Sequence, residues 1–219
     1  MKKKILTILG DFYHSHDMAY NAMLKVVEII KNSGGSEIEL VDTSVEGLGE
    51  ALKQKFDLIV LYRENRINPT DEIVYNWMNS ETEQQIIQYV RSGGSWFAWH
   101  AGLASYDDNE LYINMLKGCF DYHPDERNVK YAAVCSDIGI EPRSTFEVMD
   151  EHYIVRAEPA ENSLFLRAES TEGSSAAGWA HQYGKGRVCC LTPTHRDEGM
   201  ENEIMLDLLK QCIGWCLRL

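Results

Sequence analysis

The sequence predicts an α/β fold. A mainly parallel sheet carries helices on both faces, and a β-hairpin excursion extends it in the C-terminal half. Three observations lead there. Short apolar strands alternate with segments of helical periodicity through the first half of the chain. Two of those helical segments stop at Gly-Gly pairs, Gly34-Gly35 and Gly93-Gly94, a C-terminal helix signal. Beyond about residue 125 the pattern changes to short strand-like runs with turn chemistry between them.

Lys4–Gly10 is a compact apolar strand. Met18–Ser33 places Met23, Val26, Val27 and Ile30 at helical spacing. Glu37–Val41 forms a second strand, Val45–Lys55 a short helix and Phe56–Leu61 a third strand. Thr82–Arg91 turns Ile86, Ile87 and Val90 inward, and Ser95–Trp99 follows as a fourth strand. Strand–helix alternation of this kind gives right-handed crossovers and a parallel sheet covered on both sides. In the second half, Val129–Cys135, Thr145–Met149, Leu164–Ala168 and Ala176–Tyr183 read as strands. Gly184-Lys185-Gly186 reads as a hairpin turn into Arg187–Leu191, and Glu201–Leu217 as a closing amphipathic helix. With 219 residues and no linker, repeat or low-complexity tract, residues 1–219 form one domain.

Composition narrows the function. Hydrophobic residues make up 44% and charged residues 25%, an ordinary globular balance. The longest apolar runs fall far short of the ~20 residues a membrane span needs. The basic start, Met1-Lys2-Lys3-Lys4, lacks a signal-peptide core and cleavage site. These features predict a cytoplasmic protein without membrane association. With 21 Lys and Arg against 34 Asp and Glu, the net charge of −13 repels phosphate backbones and argues against nucleic acid. The six cysteines contain no CxxC, which fits free thiols in a reducing compartment. Cys212 and Cys216 share a helix face and read as small core residues rather than zinc ligands.

Open α/β sheets bind ligands beyond the carboxyl ends of their strands, so the polar residues there are the candidates. Ala98-Trp99-His100-Ala101-Gly102 has the pattern of a nucleophile elbow, with small neighbours permitting a sharp turn that lifts one side chain above the sheet. The lifted residue is His100; near a helix N-terminus its ring would stay neutral. His14 and His16 flank Ser15 in the loop after the first strand, where alternate residues of an extended loop could ligate one metal or one could merely cap the next helix. His195 follows the last strand, His123 lies in Tyr122-His123-Pro124, and Asp150-Glu151-His152-Tyr153 gathers ionisable groups in a turn. His181, alternating with Trp179 and Tyr183, reads as structural.

Several of these segments together resemble the ThuA-like (trehalose utilisation) family. They are Gly94–Gly102, Gly118-Cys119-Phe120 with His123-Pro124, Asp150–Tyr153, Ala177–Val188 and Thr192-Pro193-Thr194-His195. The order and spacing match over nearly the whole chain, and Trp179-Ala180-His181-Gln182-Tyr183-Gly184-Lys185-Gly186-Arg187-Val188 is the most specific stretch. The resemblance implies a class I glutamine amidotransferase-like, flavodoxin-like fold and an association with disaccharide and keto-sugar metabolism. Amidotransferases of this fold carry a cysteine at the elbow and a His-Pro-Glu after a late strand. Here His100 takes the elbow centre, His195 falls where their histidine is expected, and Glu198 could echo their acid. Without the thiolate no γ-glutamyl thioester forms, so glutaminase activity is not expected.

The expected function is acid–base chemistry on a sugar or keto-sugar: isomerisation, epimerisation or elimination. His100 and His195 would move the proton, with Glu151 or His123 assisting. His14, His16, His123, Trp99 and Tyr122 would bind substrate, the aromatics stacking on a pyranose face together with Tyr106. A zinc ion held by His14, His16 and one of His100 or His195 is the candidate cofactor. The alternative is a non-catalytic binding or regulatory protein on a degenerate amidotransferase-like scaffold. Neither reading fixes the oligomeric state, and a homo-oligomer is compatible with both.

Overall fold

The computed structural model describes residues 2–219. The chain runs β1 (Lys3–Leu9), α1 (His16–Asn32), β2 (Ile38–Asp42), α2 (Leu48–Leu52), β3 (Leu58–Tyr62), α3 (Ser80–Ser92), β4 (Ser95–Trp99), α4 (Glu110–Leu116), β5 (Gly118–Tyr122), β6 (Arg127–Ala133) and β7 (Phe146–Asp150). It continues through β8 (Ile154–Ala157), β9 (Leu164–Ser170), β10 (Gly173–Tyr183), β11 (Gly186–Leu191), α5 (Asp197–Glu201) and α6 (Glu203–Leu217). Nine strands form one sheet in the order β2-β1-β3-β4-β11-β10-β9-β6-β7, and β5 and β8 form a separate pair.

The first five strands across that sheet are parallel, in the 2-1-3-4 order of a flavodoxin-like fold. The central strands are apolar on both faces because helices cover both: every residue of β3 and β4 is buried. On one side α1 and α6 pack over Ile5, Val60, Phe97 and Cys189; on the other α3 and α4 cover Leu6, Ile59, Trp96 and Val188. Local signals set the helix ends. The Ser15 side chain accepts from the Met18 N–H at the start of α1, and Asn79 accepts from Thr82 at the start of α3. Gly93, at φ +126°, ends α3 in a conformation other residues rarely adopt.

From β11 onward the sheet becomes antiparallel, through β10, β9, β6 and β7. The excursion is therefore four strands wide rather than one hairpin. Its inner residues Val129, Tyr131, Phe146 and Val148 join the same core as α1 and α6, so the antiparallel half curls back toward the parallel half. Elements that carry little periodicity were absent from the sequence reading: α4, β5 and β8. The expected helix at 45–55 is a 3-10 turn followed by the five-residue α2, and the expected closing helix starts two residues later than expected, at Glu203, where Asn202 caps α6. Among the described residues no helix is long and apolar enough to cross a membrane. All six cysteines are free, with Cys212 and Cys216 in the core as expected.

Candidate functional site

Because β1, β3, β4 and β11 run parallel, the loops that follow them open on one edge of the sheet. The loop after β1 brings His14, that after β3 Glu64, that after β4 His100 and that after β11 His195. The curled antiparallel half supplies Glu151, immediately after β7. His14, His100, Glu151 and His195 each offer one ligating atom, and these four atoms lie within 4.8 Å of one another.

His100 is the centre of the group. The chain turns at this residue with φ +46°, the left-handed conformation of an elbow, and enters a 3-10 turn, His100–Leu103, rather than an α-helix. Gly102 permits the turn, since a Cβ there would collide with the Leu61 carbonyl. The ring is fully buried, stacked on Tyr153 with centroids 4.0 Å apart. Nδ1 lies 2.6 Å from the Thr192 carbonyl oxygen. A carbonyl has no proton to give, so Nδ1–H donates and the Nε2 lone pair faces the cluster. Burial lowers the ring pKa to about 4, against the upward pull of Glu151. The sequence reading expected a neutral ring from a helix dipole; the ring is neutral because it is desolvated.

His14 is held in the same manner. Its Nδ1 lies 2.7 Å from Asp11 Oδ1, leaving Nε2 as the free nitrogen. Burial works to raise the Asp11 carboxyl, but the hydrogen bond and charge of His14 and the N–H groups of Glu64 and Tyr13 bring it below its ordinary value. A carboxylate–imidazole pair of this kind orients a metal-binding histidine. Asp11 Oδ2 also accepts the Glu64 N–H at 2.8 Å, so one side chain ties two strand-end loops together.

His195 presents Nδ1. Its main-chain N–H donates to Asp150 Oδ1 at 2.8 Å, and burial lowers the ring pKa. Asp150 is fully buried and also accepts from the Tyr131 hydroxyl at 2.7 Å and the Glu151 N–H at 3.0 Å. Burial raises its pKa to about 7 despite those donors. Glu151 behaves oppositely. Burial would raise it, but the surrounding rings of His100, His195 and His123 hold it down to about 2.

Three distances define the chemistry. His100 Nε2 is 3.4 Å from His195 Nδ1 and 3.5 Å from Glu151 Oε2, and His195 Nδ1 is 3.6 Å from Glu151 Oε2. A tetrahedral ion with bonds of about 2.0–2.1 Å separates its ligand atoms by about 3.3–3.4 Å. The triangle thus has the size of one face of a zinc-type coordination shell, with His14 beside it. The atoms are also the right kind: lone pairs and a carboxylate oxygen converging where only a proton or a cation can satisfy them.

A cavity of about 380 Å³ opens onto the cluster, lined by Tyr13, His14, Glu64, Arg66, Ala104, Ser105, Phe120, His123, Glu151, Tyr153 and His195. His123 is exposed at its mouth, 3.7 Å from the other oxygen of Glu151. Other residues named from the sequence stand elsewhere. His16 turns away and binds Asp17 and Asp42, because the residue after the helix cap points along α1 rather than into the loop. Trp99 is buried in the core with its indole N–H on the Pro193 carbonyl, and Tyr106 is buried with its hydroxyl on the Arg63 carbonyl; neither has a free face. Tyr122 is half exposed on β5 and does not line the cavity. Glu198 is exposed on α5, so Glu151 and not Glu198 is the acid beside His195. His181 is structural, with Nε2 on the Met115 carbonyl. The Asp150–Tyr153 segment is buried rather than a solvated turn: Asp150 and His152 are fully enclosed, His152 between the hydroxyls of Ser170 and Ser175.

The profile of the family described as ThuA, trehalose utilisation, matches residues 4–216. The chain belongs to the ThuA family. Membership ties it to carbohydrate utilisation in general terms. Solved structures agree on the fold. A ThuA-like protein from Parabacteroides merdae superposes with a TM-score of 0.71 at 14% identity, over 99% of this chain and 90% of that one. One from Bacteroides uniformis gives 0.69 at 15% identity, over 99% and 91%. The ThuA fold also recurs as part of a larger enzyme: the beta-galactosidase of Bacillus circulans sp. alkalophilus gives 0.61 at 10% identity, over 97% of this chain and 31% of that one. No curated protein matches by sequence.

Sequence reasoning missed Asp11, Glu64, Asp150 and Tyr153 as parts of the site. Glu64 and Asp11 had a signal, since both stand at strand ends. Asp150 and Tyr153 stood in the ionisable run singled out from the sequence, but their roles had no local signal, because only the curl of the antiparallel half brings them in.

Proposed function

We propose that this ThuA-family protein is an enzyme that moves a proton beside the carbonyl of a sugar or keto-sugar, in an isomerisation, epimerisation or elimination, assisted by a divalent cation. The observation that carries the reading is the triangle of His100 Nε2, His195 Nδ1 and Glu151 Oε2, with edges of 3.4–3.6 Å. Zinc suits its nitrogen and oxygen donors. His14, His100, Glu151 and His195 would hold such a cation, which would supply Lewis-acid polarisation of a carbonyl and so acidify the neighbouring C–H. His123, exposed at the cavity mouth and outside the triangle, is the base placed to take that proton. Asp11, the Thr192 carbonyl and Asp150 orient the three histidines of the cluster. A histidine at the elbow centre supports the absence of glutaminase chemistry. The free thiols support a cytoplasmic setting.

The test is elemental analysis of protein purified without a histidine tag, paired with turnover of keto-disaccharides before and after chelation. About one equivalent of zinc or another divalent metal, and activity that chelation removes and metal restores, is the expected result. Less than a tenth of an equivalent after incubation with zinc would sink the metal. Ligand binding without turnover would favour the binding-protein reading.

A further inference from the structure

Across the cavity from the histidines, Glu64 presents an unusual carboxylate. Its side chain is 2% exposed and lies on the cavity wall. One oxygen, Oε2, takes every donor that the protein provides: Arg66 Nε at 2.7 Å, Arg66 Nη2 at 2.7 Å and Ser105 Oγ at 2.8 Å. The other, Oε1, is buried and receives none. Leaving a buried acceptor without a donor is unfavourable, and most such groups in native proteins have a partner.

The backbone holds this arrangement on purpose-built contacts. The Glu64 N–H donates to Asp11 Oδ2, and the Glu64 carbonyl accepts the Trp77 indole N–H at 3.0 Å. Glu64 is therefore fixed from both sides, and its carboxylate is positioned by the same Asp11 that orients His14.

We infer that Glu64, with Ser105 and Arg66, forms a hydroxyl-recognition subsite for the ring of a neutral sugar. The Arg66 guanidinium already balances the charge of Glu64, so the unmet need is a hydrogen bond and not a cation. A sugar hydroxyl supplies that donor without adding charge. Ser105 and Arg66 line the same cavity and offer an acceptor oxygen and further N–H donors to a neighbouring hydroxyl. Tyr153, Phe120 and Tyr13 line it with aromatic surface for the apolar face of the ring. The volume, about 380 Å³, stands at the low end of the ~300–1,000 Å³ of small-molecule sites. That encloses one ring and leaves a second at the mouth, where Tyr13 is exposed. The inference rests on the reading of the cavity as a sugar site. It does not require turnover or a metal.

Calorimetric titration with trehalose, methyl α-glucopyranoside and the monodeoxy derivatives of the latter tests it. Wild-type protein and Tyr122→Ala, whose side chain does not line the cavity, should both bind, whereas Glu64→Gln should bind about ten- to a hundredfold more weakly, the worth of a hydrogen bond to a charged group. One monodeoxy derivative should lose at least about tenfold on wild-type protein and nothing further on Glu64→Gln. Equal binding by wild type and Glu64→Gln overturns the subsite, as does wild-type protein that binds neither parent sugar at millimolar concentration. If Glu64→Gln does not fold, the deoxy series on wild type decides: equal affinity across the series overturns the assignment. Binding that depends on Glu64 in a protein without turnover would keep the subsite and remove the proposed reaction.

Discussion

The main-chain N–H of His195 donates to Asp150 Oδ1 at 2.8 Å, across 45 residues of sequence. The bond joins the last strand of the parallel half to the edge strand of the antiparallel half. Asp150 also fixes the N–H of Glu151, so one buried carboxyl sets the backbone of two cluster residues. Asp150→Asn keeps the shape and removes the charge. It should lower turnover through misplaced His195 and Glu151, and the measurement is kcat against metal content, with Asp150→Ala failing more severely than Asp150→Asn.

The two adjacent carboxyls give opposite pH dependences. Asp150 is raised by burial from near 3.8 to about 7. Its folded form holds the proton more tightly than the unfolded chain, so the stability it contributes is present below pH ~4 and lost as pH rises through about 7. Glu151 is lowered from 4.5 to about 2, so its contribution is present above pH ~4.5 and lost as pH falls toward 2. Urea unfolding midpoints measured from pH 3 to pH 9 should therefore peak near pH ~4, decline below it and decline above it until about pH 7. Asp150→Asn should flatten the neutral side only.

His100→Ala and His195→Ala should each reduce turnover at least ~100-fold, and the double variant should be little worse than either, because the residues act as one unit. Protonation of the buried His100 ring near pH 4 would release a bound cation, so metal content should fall through that range. His100→Ala should also cost stability, on the order of 1–3 kcal/mol, because the Thr192 carbonyl loses its buried donor. Thermal melts distinguish this from His195→Ala, whose ring is only partly buried.

Asp11→Asn should weaken zinc binding about 10–100-fold, the usual cost of losing the carboxylate behind a ligating imidazole. Competition with a chromophoric chelator reads it directly. Unchanged affinity would place His14 outside the coordination shell.

Tyr153→Leu should impair turnover, since Tyr153 packs on the His100 ring. Tyr122→Ala should leave turnover within a factor of two, since Tyr122 does not line the cavity. The reverse outcome would restore Tyr122 to the site.

The parallel half was legible because its central strands are continuous apolar runs and α1 and α3 carry caps at both ends. Gly34, Gly93 and the Gly184-Lys185 turn each stand where the sequence pattern put them. The convergence of His100 and His195 was also legible, since both follow parallel strands. Glu151 was legible as a candidate from the ionisable run Asp150–Tyr153, but its place beside them was not. His16 and Trp99 show the limit: each sits at a strand end or beside one, yet side-chain direction there depends on the helix cap and on which carbonyl needs a donor. The 192–194 segment makes the point. Its three carbonyls take the His100 ring, the Trp99 indole and the Tyr62 hydroxyl, an accounting that no local pattern reveals.

The curl of the antiparallel half has a mechanical consequence. Strand β7 has one sheet neighbour, β6, and meets the loops after β4 and β11 through Asp150 and Glu151. A cation bridging Glu151 to His100 and His195 would act as a clasp between a free edge and the rigid body of the sheet. Opening the clasp would let β6 and β7 breathe as a unit while the parallel strands stay shut, so amide exchange in those two strands would report occupancy of a site that neither strand alone contains.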